Sequence, residues 1–146
     1  MAEGATKDLP GRATPDGVSD ATVEALGRLS EALETCEQAR GHLYGFHQLT
    51  GSADIQLAEA VTALREAGHE RLADRIDREL VGRNVVEGRW TFQIVEDYDD
   101  NYWSLFRDLE RSAREELAGG VRHLHEARMK EQRRTPGRPA HDADPQ

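Results

Sequence analysis

The chain has 146 residues, of which 37% are hydrophobic, and a formal net charge of −9 at pH 7. This length and apolar content fit one globular domain, and they exclude collagen-like and wholly disordered chains. No apolar run approaches the roughly 18 residues that span a bilayer, and no basic N-terminal segment precedes an apolar core, so neither a membrane span nor a secretory signal is expected.

Both ends of the chain are predicted to be disordered. Residues 1–19 and 132–146 contain several Pro and Gly residues and few large apolar side chains. Such segments cannot bury enough surface to offset the entropy that is lost on ordering. The predicted folded domain therefore comprises residues 20–131.

The first predicted helix runs from about Asp20 to Leu49. Its apolar stripe recurs at steps of three and four residues and has two polar members, Arg40 and His47. The residue types of Thr50-Gly51-Ser52 end one helix and cap the next. A break between two helices is therefore predicted there.

Residues 53–81 form either one kinked helix or two helices. Apolar residues continue at helical spacing on both sides of Gly68. Because Gly68 is a natural C-terminal cap, a break at this position is favoured. Residues 82–90 contain Gly82, Asn84 and Gly88 and are predicted to be a connection.

The last predicted helix runs from about Thr91 to Lys130. Its apolar stripe consists of Ile94, Tyr98, Tyr102, Leu105, Leu109, Ala113, Leu117, Val121 and Leu124. Residues 90–94 are alternatively a short strand, but the helical stripe favours a helix. Gly119-Gly120 is predicted to end the main helix before a shorter basic one.

Four segments with short connections predict an all-α fold, an antiparallel helical bundle of three to four helices with disordered termini. The first and last helices are longer than those between them. Part of their apolar stripes would therefore stay exposed in a monomer, and this surplus predicts a homodimer.

The charge is distributed unevenly along the chain. Residues 20–118 hold 11 basic and 21 acidic residues. Such an acidic body repels phosphate, so nucleic acid is not an expected partner. The basic tail 128–138 suits an acidic partner, and the plainer alternative is a solvated helix end.

Aromatic residues are concentrated in one stretch, since six of the eight lie within residues 90–106 and two, Tyr44 and Phe46, lie near the end of the first helix. Such a cluster forms either a packed end of the core or a pocket for a ligand or partner. In the second case, the predicted ligand-binding residues are Arg40, Tyr44, His47, Trp90, Asp97, Tyr98 and Asp100.

Acidic residues in the same stretch need a nearby positive charge. On a helix, Asp100 shares a face with both Glu96 and Asp97, and like charges at this spacing repel. A buried guanidinium in turn needs a carboxylate partner. The plainest expectation is therefore a pairing of Arg40 with an aspartate, tested at Asp100, and a metal or substrate site is the alternative.

No catalytic residue, metal or cofactor is predicted. The single Glu-x-x-His motif, Glu66 to His69, lacks the second copy that di-iron bundles need. Zinc-protease spacing fails because Ala73 stands where the second His belongs. No Walker loop, dinucleotide-binding glycine motif or nucleophile elbow occurs. Cys36 lies on the apolar stripe and is expected to pack as a small apolar residue, without a disulfide.

Four runs of the sequence are RGHLYGFHQ at 40–48, VGRNV at 81–85, GRWTFQIVEDYDD at 88–100 and MKEQRR at 129–134. Together they resemble a group of small acidic proteins of actinobacteria, and the similarity covers about residues 20–138. The resemblance implies an actinobacterial, cytoplasmic protein, and it supplies no activity and no catalytic residues.

These observations predict a non-catalytic interaction or structural module that self-associates. The alternative is a small-molecule or metal-binding protein, enzymes included, whose site lies between the aromatic cluster at 90–106 and Arg40 with His47.

Overall fold

The computed structural model describes residues 17–143. Its elements are helix α1 (Asp20–Glu66), α2 (Glu70–Glu79), α3 (Thr91–Asp97), a π-helical segment (Tyr98–Trp103), α4 (Ser104–Ala118) and α5 (Leu124–Arg133). Within the described range the only β pairing is an isolated bridge between Val86 and Arg89. The predicted all-α helical bundle is confirmed. None of the helices within residues 17–143 combines the length and the apolar character needed to cross a bilayer.

The predicted disordered ends are only partly covered by the structure. Residues 1–16 and 144–146 lie outside the described residues. Of the predicted C-terminal tail, residues 132–133 belong to α5, and residues 134–143 form turns. In these turns the backbone N–H groups of Arg138 and His141 donate to the carbonyls of Thr135 and Arg138, each at 3.1 Å.

The described chain divides into two compact units, and α1 contributes residues to both. The first unit comprises residues 17–35 and 105–143, and the second comprises residues 36–104. The core of the first unit is formed by Val23, Leu26, Ala118 and Leu124. The buried apolar residues of the second unit are Cys36, Val61, Ala73 and Val95.

Helix α1 is continuous through Thr50-Gly51-Ser52, so the break predicted there is wrong. The hydroxyl of Thr50 donates to the carbonyl of Phe46 at 2.7 Å, which satisfies it inside the helix. Further along, Asp54 accepts the backbone N–H of Gly82 at 2.8 Å, and Val61 is buried. A glycine costs a helix about 1 kcal/mol, and tertiary contacts of this kind on the following turns outweigh that cost.

The break favoured at Gly68 is confirmed, and residues 53–81 therefore belong to two helices. Gly68 has a φ of +88°, which suits glycine at a helix C-terminus. The next N–H, that of His69, donates to the carbonyl of Leu64 at 2.8 Å and satisfies the end of α1. Residues 80–90 form the connection between α2 and α3, which begins two residues earlier than the predicted 82–90.

The predicted helix at the aromatic stretch is confirmed from Thr91 onward, but part of its predicted buried stripe is wrong. A π-helical segment holds an extra residue in its turn and rotates all that follows. After it, four inward positions lie one residue later than predicted, whereas Ala113, Val121 and Leu124 pack in the core of the first unit as predicted. The predicted residues Tyr102, Leu105, Leu109 and Leu117 are exposed, whereas the buried or half-buried ones are Trp103, Phe106, Glu110 and Ala118.

The main helix ends at Ala118 before Gly119-Gly120, and a shorter basic helix follows, as predicted. Helix α5 packs in the first unit through the buried Leu124. Two of the basic residues of the predicted tail form ion pairs within the chain: Arg128 pairs with Asp20, and Arg134 pairs with Glu131.

Candidate functional site

The candidate site lies in the second unit, along one face of α1. Its contacts with α3 and the π-helical segment run antiparallel overall, because Cys36 and Arg40 meet residues 98 and 99, whereas His47, further along α1, meets residue 91, earlier in that stretch. The pairs are Cys36 with Tyr98, Arg40 with Asp99 and His47 with Thr91. The two polar members of the predicted α1 stripe, Arg40 and His47, therefore both have polar partners.

Arg40 is held by a carboxylate and an aromatic ring. Its Nε and Nη2 donate to the two carboxylate oxygens of Asp99 at 2.6 and 3.0 Å, and its guanidinium lies 4.2 Å from the centroid of the Trp103 ring. The hydrogen bond with Asp99 raises the pKa of Arg40 above its ordinary value. The predicted pairing of Arg40 with an aspartate is present, but its partner is Asp99, and Asp100 is exposed.

Tyr98 forms a polar contact with the buried Cys36. The Tyr98 hydroxyl lies 3.3 Å from Cys36 Sγ, and it also donates to the Cys36 carbonyl at 3.4 Å. These hydrogen bonds and burial of the hydroxyl raise the pKa of Tyr98 to about 12. Tyr98 therefore stays protonated at neutral pH and acts here as a packing and hydrogen-bonding group.

The aromatic residues at the start of α3 are exposed rather than packed into a core. Trp90 is 63% exposed and meets Phe92 edge to face, with ring centroids 5.0 Å apart. Next to Trp90 in the chain, the Thr91 hydroxyl lies 2.6 Å from His47 Nδ1. Tyr44, on the same helix as His47, is 47% exposed, and its ring centroid lies 6.3 Å from that of His47.

The structure thus divides the seven predicted ligand-binding residues among several places. Arg40 and Tyr98 lie on neighbouring contacts, while Tyr44 and His47 lie beside the start of α3. Asp97 does not pair with Arg40 but with Arg89, in the connection that precedes α3. Within residues 17–143, no group of three or more His, Cys, Asp or Glu side chains is arranged to hold a metal ion.

A second polar cluster, in the first unit, was not predicted from the sequence. Glu110 is only 6% exposed, and its Oε1 accepts hydrogen bonds from Ser30 Oγ at 3.1 Å and from Arg114 Nε at 2.7 Å. The one signal in the sequence is the spacing of four residues between Glu110 and Arg114. Under the predicted helix phase, the side chains of Glu110 and Arg114 would face solvent. The rotation at the π-helical segment turns them towards the core instead.

Both clusters consist of groups that satisfy one another, so neither displays an activated nucleophile with its base. Comparisons of the chain with protein-family models, with curated proteins and with solved structures find no match. The functional conclusions below therefore rest on the residues of this chain.

Proposed function

We propose that this protein is a non-catalytic interaction module that forms a homodimer through an exposed leucine row on α4. The leucine row consists of Leu105, Leu109 and Leu117, which are 55, 59 and 47% exposed. They are spaced by four and eight residues, so they lie on one side of the helix. Their outward position is the observation that carries the proposal.

The rotation at the π-helical segment explains why this row faces outward. The inward positions of α4 are taken by Glu110 and Ala118, so the leucines one residue earlier have no core to join. Burying a leucine completely stabilises an association by about 1.5–3 kcal/mol. A two-fold contact between copies uses the same row twice, which makes a second copy the natural partner for a self-complementary apolar surface.

Molar mass in solution, measured by light scattering over a range of protein concentrations, tests the proposal. We expect the mass of a dimer for the natural chain and the mass of a monomer for Leu109→Glu, which places a charge in the centre of the row. Leu72→Glu is the matched control, because Leu72 is 50% exposed on α2 in the other unit. It should leave the dimer intact, and circular dichroism should show equal helix content in all three proteins.

Two results would overturn the proposal. One is a monomeric natural chain at every concentration, and the other is a dimer that Leu109→Glu leaves unchanged. Dissociation by both glutamate variants would also count against it, because the row would then have no special role.

Ligand binding at the start of α3 is a second candidate function, favoured by the exposed aromatic pair of Trp90 and Phe92 next to the contact between His47 and Thr91. Large exposed rings anchor ligands at low entropic cost. A ligand-observed NMR screen with a mixture of small metabolites tests it. Compounds that bind the natural chain should lose their signal changes with Trp90→Ala, and an unchanged set of compounds would reject this site.

A further inference from the structure

A groove in the second unit lies outside the candidate site and the leucine row. It is about 450 Å³ in volume, within the range of small-molecule sites. One wall comes from α1 and the other from the end of α2 and the connection that follows. The lining residues are Thr50, Ala53, Asp54 and Leu57 on the first wall and Leu80, Arg83, Asn84 and Val85 on the second.

The groove exists because α1 continues through Gly51. Only in an unbroken helix do residues 50, 53, 54 and 57 share one face, since their spacing is that of successive turns. The opposite wall is fixed to this face by Asp54, which accepts the backbone N–H of Gly82 through Oδ1 at 2.8 Å. This hydrogen bond joins the two walls, and the groove lies beside it.

The apolar part of the groove is partly open to solvent. Leu80 is 51% and Val85 52% exposed, and Leu57 and Ala53 lie on the facing helix. An aliphatic or aromatic side chain placed among these four residues would remove apolar surface from water on both sides. The apolar part of the groove therefore suits a ligand with one large apolar group.

The polar part of the groove carries one charge of each sign with unused bonding capacity. Arg83 makes a single long hydrogen bond, from Nη1 to the Glu79 carbonyl at 3.4 Å, and among residues 17–143 no carboxylate lies within 4.0 Å of it. Asp54 engages only Oδ1, and its Oδ2 has no hydrogen-bond partner in the described part of the chain. Both groups line the same groove with the amide of Asn84.

We propose that this groove binds a free α-amino acid with a large apolar side chain. The ammonium group would meet Asp54, the carboxylate would meet Arg83, and the side chain would lie on Leu57, Leu80 and Val85. A simple carboxylate fits less well, because residues 36–104 hold 13 acidic and seven basic residues and their field repels anions. A simple amine fits less well because it leaves Arg83 without a counter-charge. The zwitterion satisfies both charges.

Titration with L-leucine, followed by amide NMR spectra, tests the proposal on the intact chain. We expect concentration-dependent shifts of the Gly82, Asn84 and Val85 amides. Isoamylamine, which lacks the carboxylate, and isocaproate, which lacks the ammonium group, should each bind about tenfold more weakly or worse, as expected for the loss of one charged hydrogen bond. L-Alanine should also bind more weakly, because its methyl group is too small to cover the apolar part of the groove.

Two conservative variants locate the binding site. Arg83→Gln and Asp54→Asn should each weaken leucine binding about tenfold or more. The asparagine keeps an oxygen for the Gly82 N–H, so the walls of the groove stay joined. Arg78→Gln is the matched control, since Arg78 is exposed on α2 and does not line the groove. It should bind leucine as the natural chain does.

The proposal is overturned if millimolar leucine shifts no groove amide, or if the shifts occur elsewhere in the chain. Equal binding of leucine, isoamylamine and isocaproate would also overturn it, because the two charges would then play no part. These outcomes are independent of the dimer, since no leucine of the row lines the groove.

Discussion

Arg40 and Asp99 form a two-point ion pair between α1 and the π-helical segment, with N–O distances of 2.6 and 3.0 Å. The side chains are 33 and 23% exposed, so solvent screens the pair only in part. Asp99→Asn removes the charge and one of the two good acceptors. We expect it to lower the free energy of unfolding, measured with urea, by about 1–2 kcal/mol.

Asp100→Asn is the matched control for this pair. It makes the same chemical change one residue later, at an exposed position that does not face Arg40. Its effect should stay within about 0.5 kcal/mol, as for most surface substitutions. Equal losses at Asp99 and Asp100 would contradict the assignment of Asp99 as the partner of Arg40.

The predicted and observed partners of Arg40 differ by one residue, and the cause is local geometry. Composition and spacing predicted a guanidinium from the first helix paired with an aspartate of the last. The choice between neighbouring aspartates depends on the helix phase, and a π-helical segment changes that phase without a clear signal in the sequence. The same shift exposes Leu109 and buries Glu110, against the predicted stripe.

The helix ends show a similar division between local and tertiary causes. Gly68 was correctly predicted to end a helix. In the structure its backbone has the positive φ that glycine adopts easily. Gly51 was incorrectly predicted to do so, and α1 passes through it. The local types of residues 50–52 favour a break, and only contacts distant in sequence, such as that of Asp54 with Gly82, favour continuity.

The raised pKa of Tyr98 predicts that the free energy of unfolding falls at alkaline pH. Its pKa is about 12 in the folded chain against an ordinary value of 10.0, because of its hydrogen bonds with Cys36 and burial. The neutral hydroxyl therefore contributes its full stabilisation below about pH 10, and this contribution is lost as the pH rises towards 12. Urea unfolding at a series of alkaline pH values should show a steeper loss of stability for the natural chain than for Tyr98→Phe.

A spectroscopic titration checks the same assignment independently. Tyrosinate absorbance of the folded chain should contain a late step near pH 12 that is absent in Tyr98→Phe. If the variant retains that step, the raised pKa belongs to another tyrosine.

We expect truncation of the Glu110 side chain to cause a large loss of stability. Its carboxylate is buried and accepts from Ser30 and Arg114, whose side chain is only 15% exposed. Glu110→Ala leaves the guanidinium of Arg114 without its partner, so we expect a loss of about 3–5 kcal/mol in urea unfolding. Glu116→Ala, at an exposed position on the same helix, should change stability by about 0.5 kcal/mol or less. A similarly small effect at Glu110 would show that the site is open to water in solution.

The surroundings of Gly27 and Gly41 in α1 differ, so we expect replacement by alanine to have opposite effects on stability at these two positions. A Cβ at Gly27 would lie 2.6 Å from Cγ and 2.7 Å from Cβ of His125 on α5, whereas a Cβ at Gly41 would meet no atom within 4 Å. Both substitutions by alanine gain helix propensity of about 1 kcal/mol. Gly41→Ala should therefore stabilise the chain, while Gly27→Ala should destabilise it by about 1–3 kcal/mol, because the contact with His125 is overpacked.

A double-variant cycle isolates this contact. Combining Gly27→Ala with His125→Gly removes both the Cγ and the Cβ that the new methyl group meets, so the two changes together should cost less than their sum. Urea unfolding of the four proteins measures the difference. If Gly27→Ala proves as stabilising as Gly41→Ala, then α5 does not pack its His125 against α1 in solution.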